Sequence, residues 1–455
     1  MTQPAIAIID QIRFFLDAND KRGLTALIDN LKSNELIHAI GHLPKQEQAS
    51  LLTLLAPEDA ADVIEEIPDA QAVEIIEDID AAQAAAILDK MTSDEQADLI
   101  QEMHFEDAEA ILDQLSDEDA NEIRRLVMYD PKTAGGIMVT EILVFDEQLT
   151  VGQVIEHLRV AVRSDDDTLL RYIYITDSKG IISGVIQMWD LVPATPDTRL
   201  INIAQRAVLT VNVDTQLDEL INFFDTYDFY AVPVIDHDGR ICGAVLRKDL
   251  LEAETENMVY EHLETQGIVG GDEIRTMPVL LRSRRRLSWL SVNILLNIVA
   301  ASVIAYHQDV LESVIALAVF LPIISDMSGC SGNQAVAVSM RELSLGVVKP
   351  TEAMRVWIQE VSVGIINGLI LGLLIALAAF FWKGNIFLGI VAGGALMLNT
   401  ILAVSIGGTV PLLLKRFGVD PALASGPILT TITDMCGFFL ALTFASMLLP
   451  QLGGL

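Results

Sequence analysis

The 455-residue chain has little cysteine, few aromatic residues (6%) and a deficit of basic side chains. Its three cysteines, Cys242, Cys330 and Cys436, are far apart and form no CxxC pair, so the sequence supports neither a disulfide framework nor a thiolate zinc site and fits a reducing compartment. Lysine and arginine total 29 against 63 acidic residues, and the acidic excess lies in the N-terminal half, which excludes nucleic acid as its expected partner. No Walker-type phosphate loop is present. The first 25 residues include Asp10, Asp17, Asp20, Lys21 and Arg22 and no continuous apolar core, so no export of the N-terminal half is expected.

The chain carries a formal charge of −34, yet 51% of its residues are hydrophobic and its mean hydropathy is +0.43. Dividing it after Leu280 resolves this conflict. Residues 281–455 hold ten basic and eight acidic residues, a net of +2, which leaves −36 for residues 1–280. The acidic half favours cations as partners.

From Pro57 to about Val127 the sequence repeats every 12 residues. Ala60, Ala72, Ala84, Ala108 and Ala120 recur, with Gln96 as the exception. Pairs such as Val63-Ile64 and Ile87-Leu88 follow at i+3 and i+4, and Ile67, Ile79, Met91, Met103 and Leu115 at i+7. This spacing predicts short amphipathic helices, opened by Pro57, Pro68, Asp80, Ser93 and Ser116 and stacked into a superhelical array. Residues 57–122 hold 23 acidic residues and one basic one, Lys90. A solvated acidic surface explains any single carboxylate, but the set as a whole repels itself unless cations screen it.

Residues 138–260 form a tandem. Tyr172-Ile173-Tyr174-Ile175-Thr176-Asp177-Ser178-Lys179-Gly180 parallels Ala231-Val232-Pro233-Val234-Ile235-Asp236-His237-Asp238-Gly239, each a buried strand entering a hairpin turn. The pair resembles cystathionine-β-synthase-type (CBS) domains, regulatory modules that commonly bind adenine nucleotides. Gln187 and Leu246 stand where nucleotide-binding members carry Thr or Ser, a departure that weighs against ATP as a cofactor. A polar helical connector with Asp249, Glu252, Glu254, Glu256, Glu261 and Glu264 follows.

Five apolar segments, near 287–308, 312–340, 356–382, 386–414 and 422–449, are long enough to span a bilayer. Arg282, Arg284, Arg285 and Arg286 precede the first, Arg341, Lys349 and Arg355 follow the second, and Lys415 and Arg416 follow the fourth. The positive-inside rule then places the N-terminal half in the cytoplasm and the C-terminus outside. Two aspartates stand out within the spans. Asp326 lies among Pro322, Gly329 and Gly332, and Asp434 follows Pro427, Thr430, Thr431 and Thr433. A carboxylate there costs at least ~2.5–3.5 kcal/mol, so it needs a partner, a proton or a wet cavity. Helices broken at these prolines and glycines would suit a hard cation, whereas a protonated or hydrogen-bonded packing role is the alternative for either acid.

The order of acidic repeat, Asp130-Pro131-Lys132-Thr133-Ala134-Gly135-Gly136-Ile137-Met138, CBS pair, connecting helix, Gly332-Asn333-Gln334 and the Asp420 to Asp434 run resembles the MgtE magnesium channels of bacteria over essentially the whole chain. The resemblance implies a multidomain, non-enzymatic membrane protein. Its parts are a helical N domain (1–130), two α/β CBS domains (138–198 and 200–256), a connecting plug helix (257–281) and a five-helix all-α transmembrane domain (282–455). It implies a homodimer in the bacterial inner membrane with a periplasmic C-terminus. Asp434 matches the pore acid that holds hydrated Mg²⁺, with Asp326, Asn333, Pro427, Thr430 and Thr431 lining the path. Cytosolic Mg²⁺ would close the channel through Asp218, Asp228 and Asp249 of the CBS pair, Glu254 and Glu256 of the connecting helix, Asp420 at the inner mouth, and Asp94, Glu95 and Asp98 as N-domain candidates. Asn257 stands where the family's connecting helix has a further acid.

The expected function is therefore magnesium uptake through a channel gated by the transported ion. Oxygen ligands alone do not exclude Co²⁺, Mn²⁺ or Ni²⁺. A proton-coupled divalent-cation carrier or efflux protein working through Asp326 and Asp434, and a membrane metal sensor without transport, remain alternatives.

Overall fold

The structure is a computed structural model, and it describes residues 3–161, 171–265, 267–268, 273, 275, 277–419 and 421–452. The chain divides into two compact units, Met1–Met258 with Ile274–Met277, and Val259–Glu273 with Pro278–Leu455.

The first unit opens with ten short helices among the described residues: α1 (Gln3–Ala18), α2 (Lys21–Ile28), α3 (Ser33–Ile40), α4 (Lys45–Leu54), α5 (Pro57–Glu65), α6 (Asp69–Glu77), α7 (Ala81–Leu88), α8 (Ser93–Glu102), α9 (Phe105–Leu112) and α10 (Asp117–Leu126). From α5 onward they follow the 12-residue repeat. The recurring alanines and apolar pairs supply the buried stripe, with Ala60, Ala72, Ala84, Ile64, Ile76 and Leu88 all at most 2% exposed. Pro57 occupies the first turn of α5, and the side chains of Asp80 and Ser116 accept from Ala82 N and Asp119 N as helix caps. Ser93 departs from expectation. It is already helical, behind the N-cap residue Thr92, and its polar groups turn elsewhere.

A one-turn helix α11 (Ala134–Ile137) leads to two three-stranded sheets of the same design. In the first, β1 (Leu143–Asp146) precedes α12 (Val151–Ala161), β2 (Tyr172–Thr176), β3 (Ile182–Gln187) and α13 (Met188–Leu191). In the second, β4 (Val211–Asn212) precedes α14 (Leu217–Thr226), β5 (Ala231–Ile235), β6 (Ile241–Leu246) and α15 (Arg247–Thr265). Each sheet pairs its first strand parallel to its second and its second antiparallel to its third. The matched turns reach Gly180 and Gly239, both at φ +80°, where a side chain would be strained, while Asp177 and Asp236 accept two backbone N–H groups each. Ala97 of α8 and Leu126 of α10 join the core of the second sheet, so helical array and sheet share buried surface.

The second unit contains α16 (Val279–Tyr306), α17 (Gln308–Ser313), α18 (Leu317–Ser344), α19 (Ala353–Lys383), α20 (Ile386–Arg416), α21 (Pro421–Met447) and α22 (Leu449–Leu452). Among the described residues four segments are long and apolar enough to cross a membrane: Val279–Tyr306, Pro350–Lys383, Ile386–Arg416 and Leu429–Met447. The remaining expected span is α18. It has 28 residues, but its serines, glycines, Asp326 and Asn333 lower its hydropathy. The expected helix breaks do not occur, because α18 and α21 each run unbroken through their prolines and glycines. Pro322 is the sixth residue of α18 and lies inside it, so it offers no N–H to the Ala318 carbonyl, yet the helix continues through it. The glycines instead serve helix contact: a Cβ at Gly368 would come 2.7 Å from the Met397 carbonyl, so α19 and α20 meet backbone to backbone.

Candidate cation sites

The first turn of α8 presents Asp94 and Glu95, with Asp98 one turn on. Acids in this position are favoured by the helix dipole and anchored by their neighbour Ser93, whose N–H and hydroxyl both bind Glu141, at 3.0 and 2.9 Å. Burial pushes the Asp94 carboxyl up, and one of its carboxylate oxygens is buried with no hydrogen-bond partner among the described residues. Burial first, then the charges of Asp94, Glu65, Asp69 and Glu252, push Glu95 up to about 9. Asp98 is pushed to about 8 by burial and by Asp69, Asp94, Glu256 and Glu102. Asp98 lies exposed on α8, so solvent screening moderates this shift.

A cation, Lys248, stands beside these acids. Burial lowers its affinity for a proton, but Asp249, Glu252, Glu95 and Glu65 together outweigh that and raise it. One lysine against this many carboxylates leaves a strong local excess of negative charge. Oxygen donors, an orphaned buried carboxylate oxygen and carboxyls that resist ionisation together fit a hard divalent cation, which would replace the protons.

The connecting helix contributes through a stripe. Asp249, Glu252 and Glu256 share one face of α15, whereas Glu254 lies about 140° round from Asp249. The sequence reading singled out Asp94, Glu95, Asp98 and Glu256 but gave no role in the site to Glu252, Glu65 or Asp69, because spacing along one helix does not reveal charges contributed by another. Asp218 is exposed on the first turn of α14. Asp228 is fully exposed and lies 3.5 Å from Arg247 Nη2. Asp420 lies outside the described residues.

In the second unit, Asp434 on α21 is half-buried and accepts a hydrogen bond from the hydroxyl of Ser325 on α18. A hydroxyl, not a cation, is thus the recorded partner of this acid. Asp326, Cys330 and Asn333 are exposed along one face of α18, at i, i+4 and i+7. Thr430 lies exposed one turn before Asp434, Thr431 is half-buried, and Thr433 is buried with its hydroxyl on the Thr430 carbonyl at 2.9 Å. Pro427 falls in the part of α21 whose side chains lie outside the described set. Asn399 on α20 is buried. In the structure its Nδ2 meets the Thr433 carbonyl at 3.0 Å, beside Asp434.

Three family models match parts of the chain. A family model described as the MgtE divalent cation transporter matches residues 321–444, the MgtE intracellular N domain matches 31–132, and a CBS domain matches 201–256. The magnesium transporter MgtE of Thermus thermophilus is 34% identical over 331 residues, covering 72% of each chain. That of Enterococcus faecalis is 31% identical over 328 residues, covering 72% of this chain and 71% of its own. Among solved structures, the cytosolic domain of the Mg²⁺ channel MgtE in complex with ATP is 29% identical, covers 54% of this chain and 99% of its own, and has a TM-score of 0.49. With its CBS region, its acidic N domain and its several apolar helices, the chain is a membrane protein that belongs to the MgtE family of magnesium transporters.

Proposed function

We propose that the protein is a channel for Mg²⁺ uptake which closes when cytosolic Mg²⁺ binds the acids shared by α8 and α15. The observation that carries this reading is the crowding of Asp94, Glu95 and Asp98 against Glu252 and Glu256. Such a cluster holds together with protons or a divalent ion and separates by mutual repulsion when both are withdrawn. α15 then transmits that state, because the helix that carries Glu252 and Glu256 continues to Thr265.

In this reading Asp434 is the pore acid, with Ser325, Thr430 and the exposed face of Asp326 and Asn333 along the path. Mg²⁺ gives up water reluctantly, so a site of one carboxylate per protomer with hydroxyls around it suits a largely hydrated ion. A membrane potential supplies ~2.3 kcal/mol per charge per 100 mV, about 4.6 for a divalent ion, so inward flow needs no ATP. In this reading the protein is a homodimer in a bacterial inner membrane, and the distribution of basic residues around the spans supports an acidic unit in the cytoplasm and a C-terminus in the periplasm.

Mg²⁺ uptake by the reconstituted full-length chain tests the pore. Asp434→Ala should abolish saturable uptake, and a variant that transports like the unmodified protein would refute the assignment. Uptake driven by a pH gradient and absent without one would favour the proton-coupled carrier.

A further inference from the structure

We propose that Asn399 is a positioning residue for Asp434, an inference that rests on the reading of Asp434 as the pore acid. Asn399 stands in the middle of α20 with no exposed surface. Its Nδ2 donates to the Thr433 carbonyl at 3.0 Å, one residue before Asp434. That carbonyl belongs to an α-helix and already receives the N–H four residues on, from Gly437, so the amide occupies its second lone pair.

Gly437 makes the arrangement possible. A Cβ there would come 2.7 Å from Asn399 Nδ2 and 3.3 Å from Ile324 Cγ2, the side chain next to Ser325. Three helices thus converge behind the acid. The amide of α20 fixes the turn of α21 that carries Asp434, and the α18 residue beside Ile324 holds the carboxylate through the Ser325 hydroxyl.

Helix packing alone does not explain this amide. Its Oδ1 is buried with no hydrogen-bond partner among the described residues, a cost that leucine, with the same branched skeleton and no polar atoms, would not incur. The structure retains the costly side chain where its one bond sets the rotation of α21 at Asp434. Loss of the bond should move the carboxylate without removing its charge, and a binding site tolerates only about 0.5 Å of such movement. Ion affinity is then what changes, ahead of the maximal rate.

The experiment uses the full-length chain in proteoliposomes, with Mg²⁺ uptake followed against external Mg²⁺ and normalised to folded protein. Asn399→Leu should raise the half-saturating Mg²⁺ concentration by about tenfold, keep the maximal rate within about twofold, and change the ratio of Mg²⁺ to Co²⁺ half-saturation. Should that variant not fold, Asn399→Ala and Gly437→Ala supply the same reading. Each should shift half-saturation, and the double variant should lie nearer Asn399→Ala than the sum of the two shifts, because the 2.7 Å clash with the amide is gone and only the Ile324 contact at 3.3 Å remains. Half-saturation and ion ratio unchanged from the parent in the folded Asn399 variants would overturn the proposal, as would a fall in maximal rate alone. Asp434→Ala is run beside them. If it is inactive while the Asn399 variants behave as the parent, only the positioning role fails; if it transports normally, the pore assignment fails and the positioning role with it.

Discussion

Glu141, in the segment that enters β1, takes both the N–H and the hydroxyl of Ser93 at the start of α8, at 3.0 and 2.9 Å, while Thr140 N donates to the same hydroxyl at 2.9 Å. This knot ties the helix that bears Asp94, Glu95 and Asp98 to the chain leading into the first sheet. Glu141→Ala leaves two donors of a residue only 3% exposed without their acceptor, at a cost of about 1–3 kcal/mol. Thermal unfolding of the purified chain should show the loss, and Glu141→Gln, which keeps an acceptor oxygen, should lose less.

The acidic cluster should couple magnesium to protons. Glu95 and Asp98 are held at about 9 and about 8, so the folded cluster binds protons that an unfolded chain has already released. Its metal-free stability is full below the unfolded carboxylate values near pH 4 and is lost as pH rises through about 8 and 9. Mg²⁺ must displace those protons. The Mg²⁺ concentration that half-protects α15 from protease should therefore fall by at least about tenfold between about pH 6 and about pH 8. A midpoint independent of pH would count against the cluster as the site.

Close contact between α18 and α20 depends on Gly407, where a Cβ would collide with the Gly332 carbonyl. Gly407→Ala should destabilise the membrane unit by about 1–3 kcal/mol and lower the yield of folded protein. Gly394→Ala is the control: its Cβ would sit 3.6 Å from the Phe444 ring, in ordinary contact, and the yield should not change.

The regular parts of the fold were legible because they follow a period. Every 12 residues an alanine and two apolar residues return, and the helices α5 to α10 sit on that repeat. The paired Asp177-to-Gly180 and Asp236-to-Gly239 turns announced the two sheets for the same reason. The sites were legible only in part. Asp434 stood out because an acid among apolar residues is costly, but Ser325 and Asn399 look like ordinary polar residues of a packed helix. Only the meeting of α18, α20 and α21 gives them partners. The expected helix breaks failed because glycine and proline were read as breakers, whereas here glycines admit close neighbours and α18 continues through Pro322.

The most direct test of the account is Mg²⁺ flux through the full-length protein as a function of Mg²⁺ on the side that bathes the acidic unit. Flux through the parent protein should fall to near zero as that concentration rises. The Glu95→Gln, Asp98→Asn, Glu256→Gln variant should keep conducting under the same conditions. Closure of that variant at the parent's Mg²⁺ concentration would contradict the account.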